Sequence, residues 1–186
     1  MDEIERIYHL YTLKHVARVT RVRDRFETTA EHVYSCMILA RYFLPKIPQK
    51  LDALKVMNLI LYHDIVEIEC GDTFVLDGKK PHDKKAQEEA AFEALKKKIP
   101  SSLASEYHDH WIEYEEGKTM EAKFAQAIDK LDPIIHQMHM KQEWRRYGFT
   151  EEKLRESKER YFEPFPAMKS VFEKLLSHGR ENGYFK

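Results

Sequence analysis

The sequence reads Tyr62-His63-Asp64-Ile65-Val66-Glu67-Ile68-Glu69-Cys70-Gly71-Asp72 at the end of a segment that we predict to be a helix over about 50–70. Apolar residues recur in this segment at spacings of three, four and seven, which is typical of one helix face: Leu54, Met57, Leu61 and Ile68. We therefore expect these four residues to face the core. Gly71 is expected to end the helix.

His63, Asp64 and Glu67 would project within one sector of such a helix, because an α-helix turns about 100° per residue. Asp64 falls on the line of the apolar stripe, and a buried carboxylate is costly unless it is paired or bound to a metal. The spacing alone leaves two interpretations open. One is a solvated acidic face with an ordinary histidine, and the other is a pair of metal ligands.

Outward from this segment, nearly every stretch has helical periodicity, and no window alternates as a strand would. We predict helices at about 3–14, from Thr28 to Pro45, and at 83–98, 102–116, 119–145, 150–162 and 166–179. Thr28 and Glu31 form a predicted capping box. Residues 15–27 are predicted to be an irregular basic segment and 71–82 a loop. The pattern predicts an all-α fold in a single domain.

The composition excludes several classes of protein. The 186 residues carry a net charge of -1, which gives no overall field for a nucleic acid polymer or an anionic membrane. No apolar run approaches the roughly 20 residues that span a bilayer. Cys36 and Cys70 match no zinc-ribbon spacing, and we expect two free thiols. The first residues lack the regions of a signal peptide, so we expect a cytoplasmic protein.

Two further candidate ligands lie elsewhere, since a metal needs more than two protein ligands. His32 follows the predicted capping box, and it could equally be an ordinary histidine at a helix end. Asp129 lies on a long predicted helix, where an ion pair with Lys130 or Arg18 is the alternative. Four polar residues of that helix lie at spacings of three and four and could form a second metal site or a polar face: Asp129, Asp132, His136 and His139.

The order His32, His63-Asp64, Asp129 resembles the H…HD…D pattern of the HD superfamily of metal phosphohydrolases. Longer motifs make the resemblance more specific. They are Leu13-Lys14 with Arg18, Glu27-Thr28-Thr29-Ala30-Glu31-His32, His63-Asp64-Ile65-Val66-Glu67 with Gly71-Asp72, and Ala127-Ile128-Asp129-Lys130. Together these segments look like the bacterial 5′-deoxynucleotidases and their eukaryotic single-domain relatives, over most of residues 10–145.

The resemblance implies a compact all-α HD-type helical bundle over 1–186, with the metal-site core at about 10–145 and further helices at about 150–180. It implies one divalent metal held by His32, His63, Asp64 and Asp129. Such a mixed set of nitrogen and oxygen ligands suits cobalt, manganese, iron, nickel, zinc or magnesium.

The resemblance also implies roles for other residues. A metal-bound water would attack phosphorus, with Glu67 as the proton carrier. Asp72 would orient that water or contact the sugar, and Arg18 would contact the phosphate. The bacterial nucleotidases carry a tryptophan directly after that arginine, whereas Val19 stands here, so their sugar and base preference is not transferred.

The implied activity is release of phosphate from a nucleoside 5′-mono-, di- or triphosphate or a phosphorylated nucleoside analogue. The nearby basic residues Arg21, Arg23 and Arg25 could serve a longer phosphate chain or lie in a solvated loop. The alternative is a non-catalytic helical regulatory or binding domain with a structural metal. Single-domain relatives are often dimers, which leaves a homodimer open. The Glu-x-x-His pairs of ferritin-like sites and the HExxH motif are absent from the sequence.

Overall fold

Helices dominate the computed structural model, which describes residues 1–72 and 81–185, with only the backbone described for 81–85. The all-α prediction is confirmed. The helices are α1 Glu3–Tyr11, α2 Thr29–Phe43, α3 Ala53–Tyr62, α4 Glu67–Cys70, α5 Pro81–Leu95, α6 Ser101–Glu116, α7 Met120–His136, α8 Lys141–Arg146, α9 Glu151–Leu154, α10 Arg160–Phe162 and α11 Pro166–Glu181. Short 3-10 turns cover Thr12–His15 and Leu44–Lys46, and a π-helical turn covers Arg155–Glu159.

A β-hairpin replaces the irregular segment that the sequence predicted at 15–27. Strand β1 (Ala17–Val22) pairs antiparallel with β2 (Arg25–Thr28). Arg23 has a positive φ of 56° in the tight turn between them, and the Arg21 guanidinium lies 5.0 Å from the centre of the Phe26 ring. The prediction that the chain has no strand is therefore wrong, because turn geometry and cross-strand stacking outweigh the weak alternation of a basic sequence.

The capping box at the start of α2 is confirmed. The Thr28 hydroxyl accepts a hydrogen bond from the Glu31 amide at 3.3 Å, and the Glu31 carboxylate accepts one from the Thr28 amide at 2.9 Å. Because this box fixes where α2 begins, it also fixes the position of His32 in the first turn.

The predicted helix over 50–70 is interrupted at the His63-Asp64 pair. Helix α3 ends at Tyr62, residues 63–66 form turns, and α4 begins at Glu67. The Nδ1 atom of His63 donates to the Ile60 carbonyl at 2.7 Å, which is the acceptor that a continuing α-helix would offer to the Asp64 amide. The single-helix geometry expected for His63, Asp64 and Glu67 is therefore wrong. Gly71 does end α4, with a positive φ of 74°.

The core face of α3 also differs from the prediction. Leu54 and Leu61 are 71% and 41% exposed, whereas Val56, Leu59 and Ile60 are buried. This helix carries apolar residues on several sides, so spacing alone could not identify the face that packs.

The predicted helix over 119–145 is two helices, α7 and α8. Pro133 lies within α7, as expected, but the helix ends at His136. The Gln137 carbonyl just beyond it accepts a hydrogen bond of 2.8 Å from the Trp144 indole. His139 therefore lies outside α7 and is not part of a continuous stripe with Asp129 and Asp132.

The chain divides into two compact units, and the expectation of one domain over 1–186 stays a prediction. The first unit contains Met1–Tyr34 and Asn58–Glu116, and the second contains Ser35–Met57 and Gly117–Lys186. The first has its core around Phe92 and Trp111, whose rings stack at 5.5 Å. The second contains the packed ring pair Phe124 and Phe165.

Both cysteines are free thiols, as expected, with Cys36 buried and Cys70 exposed. Across the ranges 1–72 and 81–185, the structure contains no helix with the length and apolar character needed to cross a membrane.

Candidate metal centre and catalytic site

Six of the seven predicted site residues belong to the first unit, and its elements bring them close together. The hairpin supplies Arg18, α2 supplies His32, and the turn after α3 supplies His63 and Asp64. Helix α4 supplies Glu67, and Asp72 follows its end. The six residues come from two stretches of sequence, 18–32 and 63–72, and the resulting cluster is largely buried.

The Oδ2 atom of Asp64 lies at the centre of this cluster. It is 3.0 Å from His63 Nε2, 3.8 Å from His32 Nε2 and 3.2 Å from Arg18 Nη1. Burial acts to raise the pKa of Asp64, but His63, Arg18 and His32 together outweigh it and hold the pKa below its usual range. Asp64 is therefore an ionised carboxylate facing two buried imidazoles.

The tautomer of His63 suits a metal ligand. Its Nδ1 donates to the Ile60 carbonyl, which can only accept, so in the neutral ring Nε2 carries a lone pair. Nε2 is buried and makes no well-angled hydrogen bond to any residue of the described chain. A ligand nitrogen of His32 lies within 4.8 Å of one in His63. Two imidazole nitrogens and a carboxylate oxygen converging in this way form a donor set that fits a divalent cation.

Glu67 is half-buried beside this cluster, and its carboxylate accepts a hydrogen bond of 2.7 Å from the Thr29 hydroxyl. Burial and the neighbouring Asp64 and Asp72 raise the pKa of Glu67 to about 9, against the opposing effect of Thr29. A carboxyl group with so high a pKa holds a proton at neutral pH. Glu67 can therefore donate or accept a proton next to the candidate ligands.

Arg18 lies among three carboxylates. Its Nη1 is 3.9 Å from Asp72 Oδ1, and its Nε is 3.7 Å from the buried Glu27 carboxylate, in addition to the contact with Asp64. Burial and Asp64 raise the pKa of Asp72, while Arg18 acts against them. The guanidinium thus offsets part of the negative charge gathered at this site.

Asp129, the seventh predicted residue, lies on α7 and belongs to the second unit. Its side chain is only 13% exposed, and its Oδ2 is 2.6 Å from Lys130 Nζ. The pairing with Lys130 considered from the sequence is therefore present. The role of Asp129 as a metal ligand stays a prediction.

The sequence analysis missed Thr29, Glu27 and Tyr114 as neighbours of the site. Thr29 is fully buried, and the Tyr114 ring packs on His63 at 5.1 Å between ring centres. The adjacent Thr28 was assigned as the cap, and nothing in the local pattern gave Thr29 a partner 38 residues away.

The basic run of the hairpin has local partners. Arg25 donates to Glu31 Oε2 at 2.8 Å, and Arg21 stacks on Phe26. Arg23 lies exposed in the turn. Local pairing explains the presence of Arg25 and Arg21 without a phosphate ligand.

The family model described as HD domain matches residues 10–169 of the chain. The chain belongs to the HD domain family. The match of this HD-domain chain includes every predicted site residue, from Arg18 to Asp129.

Relatives with assigned names support this result. The HD-domain chain is 30% identical over 139 residues to the 5′-deoxynucleotidase HDDC2 of Xenopus laevis, covering 73% of this chain and 68% of the frog protein. It is 29% identical over 126 residues to the human 5′-deoxynucleotidase HDDC2, covering 66% of this chain. The match spans only 60% of the human protein's own length.

Solved structures share the fold. A predicted metal-dependent phosphohydrolase from Magnetospirillum magnetotacticum MS-1 is 28% identical to the HD-domain chain, with a TM-score of 0.85, covering 98% of this chain and 93% of that one. The PH0347 protein of Pyrococcus horikoshii OT3 has a TM-score of 0.66 at 22% identity, covering 95% and 98%, and supports the fold alone. The HD-domain chain is accordingly a hydrolase of the phosphohydrolase class. The donor atoms around Asp64 are compatible with the metal dependence stated in the name of the Magnetospirillum protein.

Proposed function

We propose that this HD-domain chain releases phosphate from a nucleoside 5′-phosphate, and that His32, His63, Asp64 and Asp129 hold one divalent metal. The observation that carries the proposal is the arrangement around Asp64. Its ionised oxygen lies 3.0 Å from His63 Nε2 and 3.8 Å from His32 Nε2 in a buried site. A carboxylate oxygen and two imidazole nitrogens that meet in this way form a donor set that a divalent cation would fit.

The metal would supply a lowered pKa for a bound water, to about 7 in favourable sites, and would neutralise charge on a phosphoryl oxygen. Its identity stays open among cobalt, manganese, iron, nickel, zinc and magnesium. Asp129 is included because Ala127-Ile128-Asp129-Lys130 matches the family motif and the side chain is only 13% exposed.

The residues of the chain have distinct proposed roles. Glu67 holds a proton that it would transfer to the leaving oxygen of the nucleoside as the phosphorus–oxygen bond breaks, and the resulting carboxylate would then take up the proton released by the attacking water. Asp72 lies near Glu67 and contacts the water or the sugar. Arg18 presents a planar fork for the phosphate oxygens.

Support for this substrate class comes from the relatives called 5′-deoxynucleotidases. Among the described residues of the hairpin, Arg25 pairs with Glu31 and Arg21 stacks on Phe26. We therefore favour a nucleoside monophosphate over a di- or triphosphate as the proposed substrate. The proposed substrate is a small molecule, and the proposal involves neither a nucleic acid polymer nor a membrane.

The test is phosphate release from nucleoside mono-, di- and triphosphates with each candidate metal, comparing the natural chain with Glu67→Gln. Glu67→Gln keeps the shape of the side chain but removes the transferable proton. We expect it to fold and keep its metal while losing about 10²–10⁴-fold in turnover. Glu93→Gln is the control, because Glu93 has an exposed side chain on α5, pairs with Lys96 and lies outside the candidate site.

The same measurement distinguishes the proposed enzyme from the alternative, a non-catalytic helical binding domain with a structural metal. A binding domain would release no phosphate from any nucleotide, whatever metal is added. If Glu67→Gln loses its metal, Glu67 is itself a ligand and the proposed ligand set is wrong. Full activity in Glu67→Gln would assign proton transfer to another group.

A further inference from the structure

Strand β2 buries a glutamate and exposes a phenylalanine. Glu27 is 2% exposed, whereas the neighbouring Phe26 is 45% exposed. A strand that only covered a core would do the opposite, because burial favours an aromatic ring and is costly for a carboxylate unless it is paired. This inversion, in a strand of four residues, indicates that the placement of Glu27 serves a purpose other than packing.

A β-bulge lies opposite Glu27. Two pairs of the ladder flank it, Ala17 with Thr28 and Arg21 with Phe26. Between these pairs β1 has three residues, 18–20, whereas β2 has only Glu27. Additional residues in one strand redirect the side chains of that strand, and bulges are frequent beside active sites. The first residue of this bulge is Arg18, which reaches Asp64 in the candidate site.

Glu27 and the acids of the candidate site contact different nitrogens of Arg18. Glu27 Oε2 lies 3.7 Å from Nε, the guanidinium nitrogen nearest the stem of the side chain. Asp64 Oδ2 and Asp72 Oδ1 lie 3.2 and 3.9 Å from Nη1, at the tip. Because a guanidinium group is planar and rigid, a restraint on Nε also restrains the directions in which the two tip nitrogens donate. Glu27 therefore influences which way the tip of Arg18 faces.

Stability alone does not account for this ion pair. The side chains of Glu27 and Arg18 are only 3% and 14% exposed. Buried ion pairs often stabilise a fold no more than apolar residues of the same volume, because the cost of removing both charges from water offsets their attraction. Without Glu27, Arg18 would still face two carboxylates of the candidate site, so the buried guanidinium does not need Glu27 for charge compensation.

We propose that Glu27 is a positioning residue that holds the Nε side of Arg18, so that the tip nitrogens of Arg18 face the phosphate of the substrate. This inference rests on the proposed function, in which Arg18 contacts the phosphate. Glu27 acts through Arg18 alone. When Glu27 is absent, Asp64 and Asp72 draw the guanidinium toward themselves, because no charge on the other side opposes their attraction. Phosphate binding then weakens while the candidate metal ligands stay in place.

The first test is the KM of Glu27→Gln, which keeps the size and polarity of the side chain and removes its charge. We expect the KM for a nucleoside monophosphate to rise by about threefold to tenfold, at normal metal content. Asp24→Asn is the matched control, because it removes an acid from the exposed turn of the same hairpin. It should leave the KM unchanged.

A double variant separates positioning from a general structural effect. If Glu27 acts only through Arg18, it has nothing to position once Arg18→Lys has removed the planar fork. The KM of the double variant Glu27→Gln with Arg18→Lys should therefore equal that of Arg18→Lys alone. Effects that multiply would overturn the proposal, since they would show that Glu27 acts independently of Arg18.

The NMR resonance of the Arg18 Nε–Hε group tests the contact without substrate or metal, and its loss in Arg18→Lys assigns it. In the natural chain it should exchange slowly with water and lie downfield of the resonances of exposed arginines, because a carboxylate faces a buried N–H group. It should move upfield in Glu27→Gln and stay in place in Asp24→Asn. A resonance typical of an exposed arginine in the natural chain would overturn the proposal, even if Glu27→Gln does not fold.

The two proposals fail in different ways. A natural chain that releases no phosphate from any nucleotide would refute the proposed function, and the Arg18 resonance would still test the orientation. An active natural chain with an unchanged KM in Glu27→Gln would refute the positioning role and leave the proposed function standing.

Discussion

The Thr29 hydroxyl donates a hydrogen bond of 2.7 Å to Oε2 of Glu67, across 38 residues of sequence. Thr29 is fully buried at the start of α2, and Glu67 begins α4. The bond joins the helix that carries His32 to the helix that carries the proposed proton carrier. It therefore fixes the carboxyl group of Glu67 relative to a candidate metal ligand.

Thr29→Val should reduce turnover while leaving the metal in place. Valine keeps the shape of threonine and removes the donor, and a hydrogen bond of this kind contributes about 0.5–1.5 kcal/mol, or roughly threefold to tenfold. Since this bond lowers the pKa of Glu67, its loss should raise that pKa further and move the corresponding limb of the pH–rate profile upward. Thr29→Ser should restore both properties. An unchanged profile in Thr29→Val would mean that Thr29 has only a structural role.

Asp64→Ala and Asp129→Ala should each lose bound metal and activity. Both residues are proposed ligands, and removing one ligand from a four-residue set weakens binding of a divalent ion strongly. Asp109→Ala is the control, because Asp109 has an exposed side chain on α6. Elemental analysis of the purified variants measures the bound metal per chain and tests this prediction. Full metal content in Asp129→Ala would remove Asp129 from the ligand set and leave the three groups of the first unit.

Arg18→Lys should raise KM for the nucleotide by about tenfold or more, since it keeps the charge and removes the planar fork. Arg18 also contacts Asp64 at 3.2 Å, so metal content is measured on the same sample. A higher KM with normal metal content would support a phosphate contact. Loss of metal with an unchanged KM would show that Arg18 instead orients Asp64.

The contribution of Glu69 to stability should depend on pH. Burial acts to raise the pKa of Glu69, but Lys98 and His9 outweigh it and lower the pKa. A lowered carboxyl pKa gives a stabilising contribution that is present above the ordinary value near 4.5 and is lost as the pH falls through the lowered value. Urea unfolding at pH 7 should therefore find Glu69→Gln less stable than the natural chain.

The difference between the two proteins should shrink as the pH falls below the ordinary value near 4.5, and it should vanish below the lowered pKa, where Glu69 is protonated in both the folded and the unfolded state. Glu93→Gln, on an exposed acid, is the control and should show no such trend. An equal difference at pH 7 and pH 3 would rule out ionisation of Glu69 as the cause.

Most of the helices and all of the candidate ligands were predicted from the sequence. The capping box at Thr28 placed the start of α2 and hence His32, because a cap depends on residues three positions apart. The capping box is local, and local geometry can be predicted from spacing. The assignment of His63 and Asp64 as a ligand pair came instead from the resemblance to the HD family, because their spacing alone left a solvated acidic face equally open.

The parts that were missed depend on contacts between distant segments. Periodicity assigned one helix to 50–70, but the bond from His63 to the Ile60 carbonyl ends α3 at Tyr62. The contact of Thr29 with Glu67 joins α2 to α4, and the local pattern of neither segment predicts that these two helices lie close together. The hairpin at 17–28 depends on the turn at Arg23 and on stacking of Arg21 against Phe26, and its basic composition concealed both.

Helix α4 has four residues, and its two acidic side chains form hydrogen bonds with different parts of the first unit. Glu67 bonds to Thr29 on one side, while Glu69 bonds to His9 of α1 and to Lys98 on the other. A substitution at His9 or Lys98 would shift this short helix and, with it, the proposed proton carrier, without altering any candidate ligand. Substitutions at these two positions, which lie outside the candidate site, would therefore change the turnover rate. A library of variants at His9 and Lys98 would yield enzymes that differ in rate but keep the same candidate metal ligands.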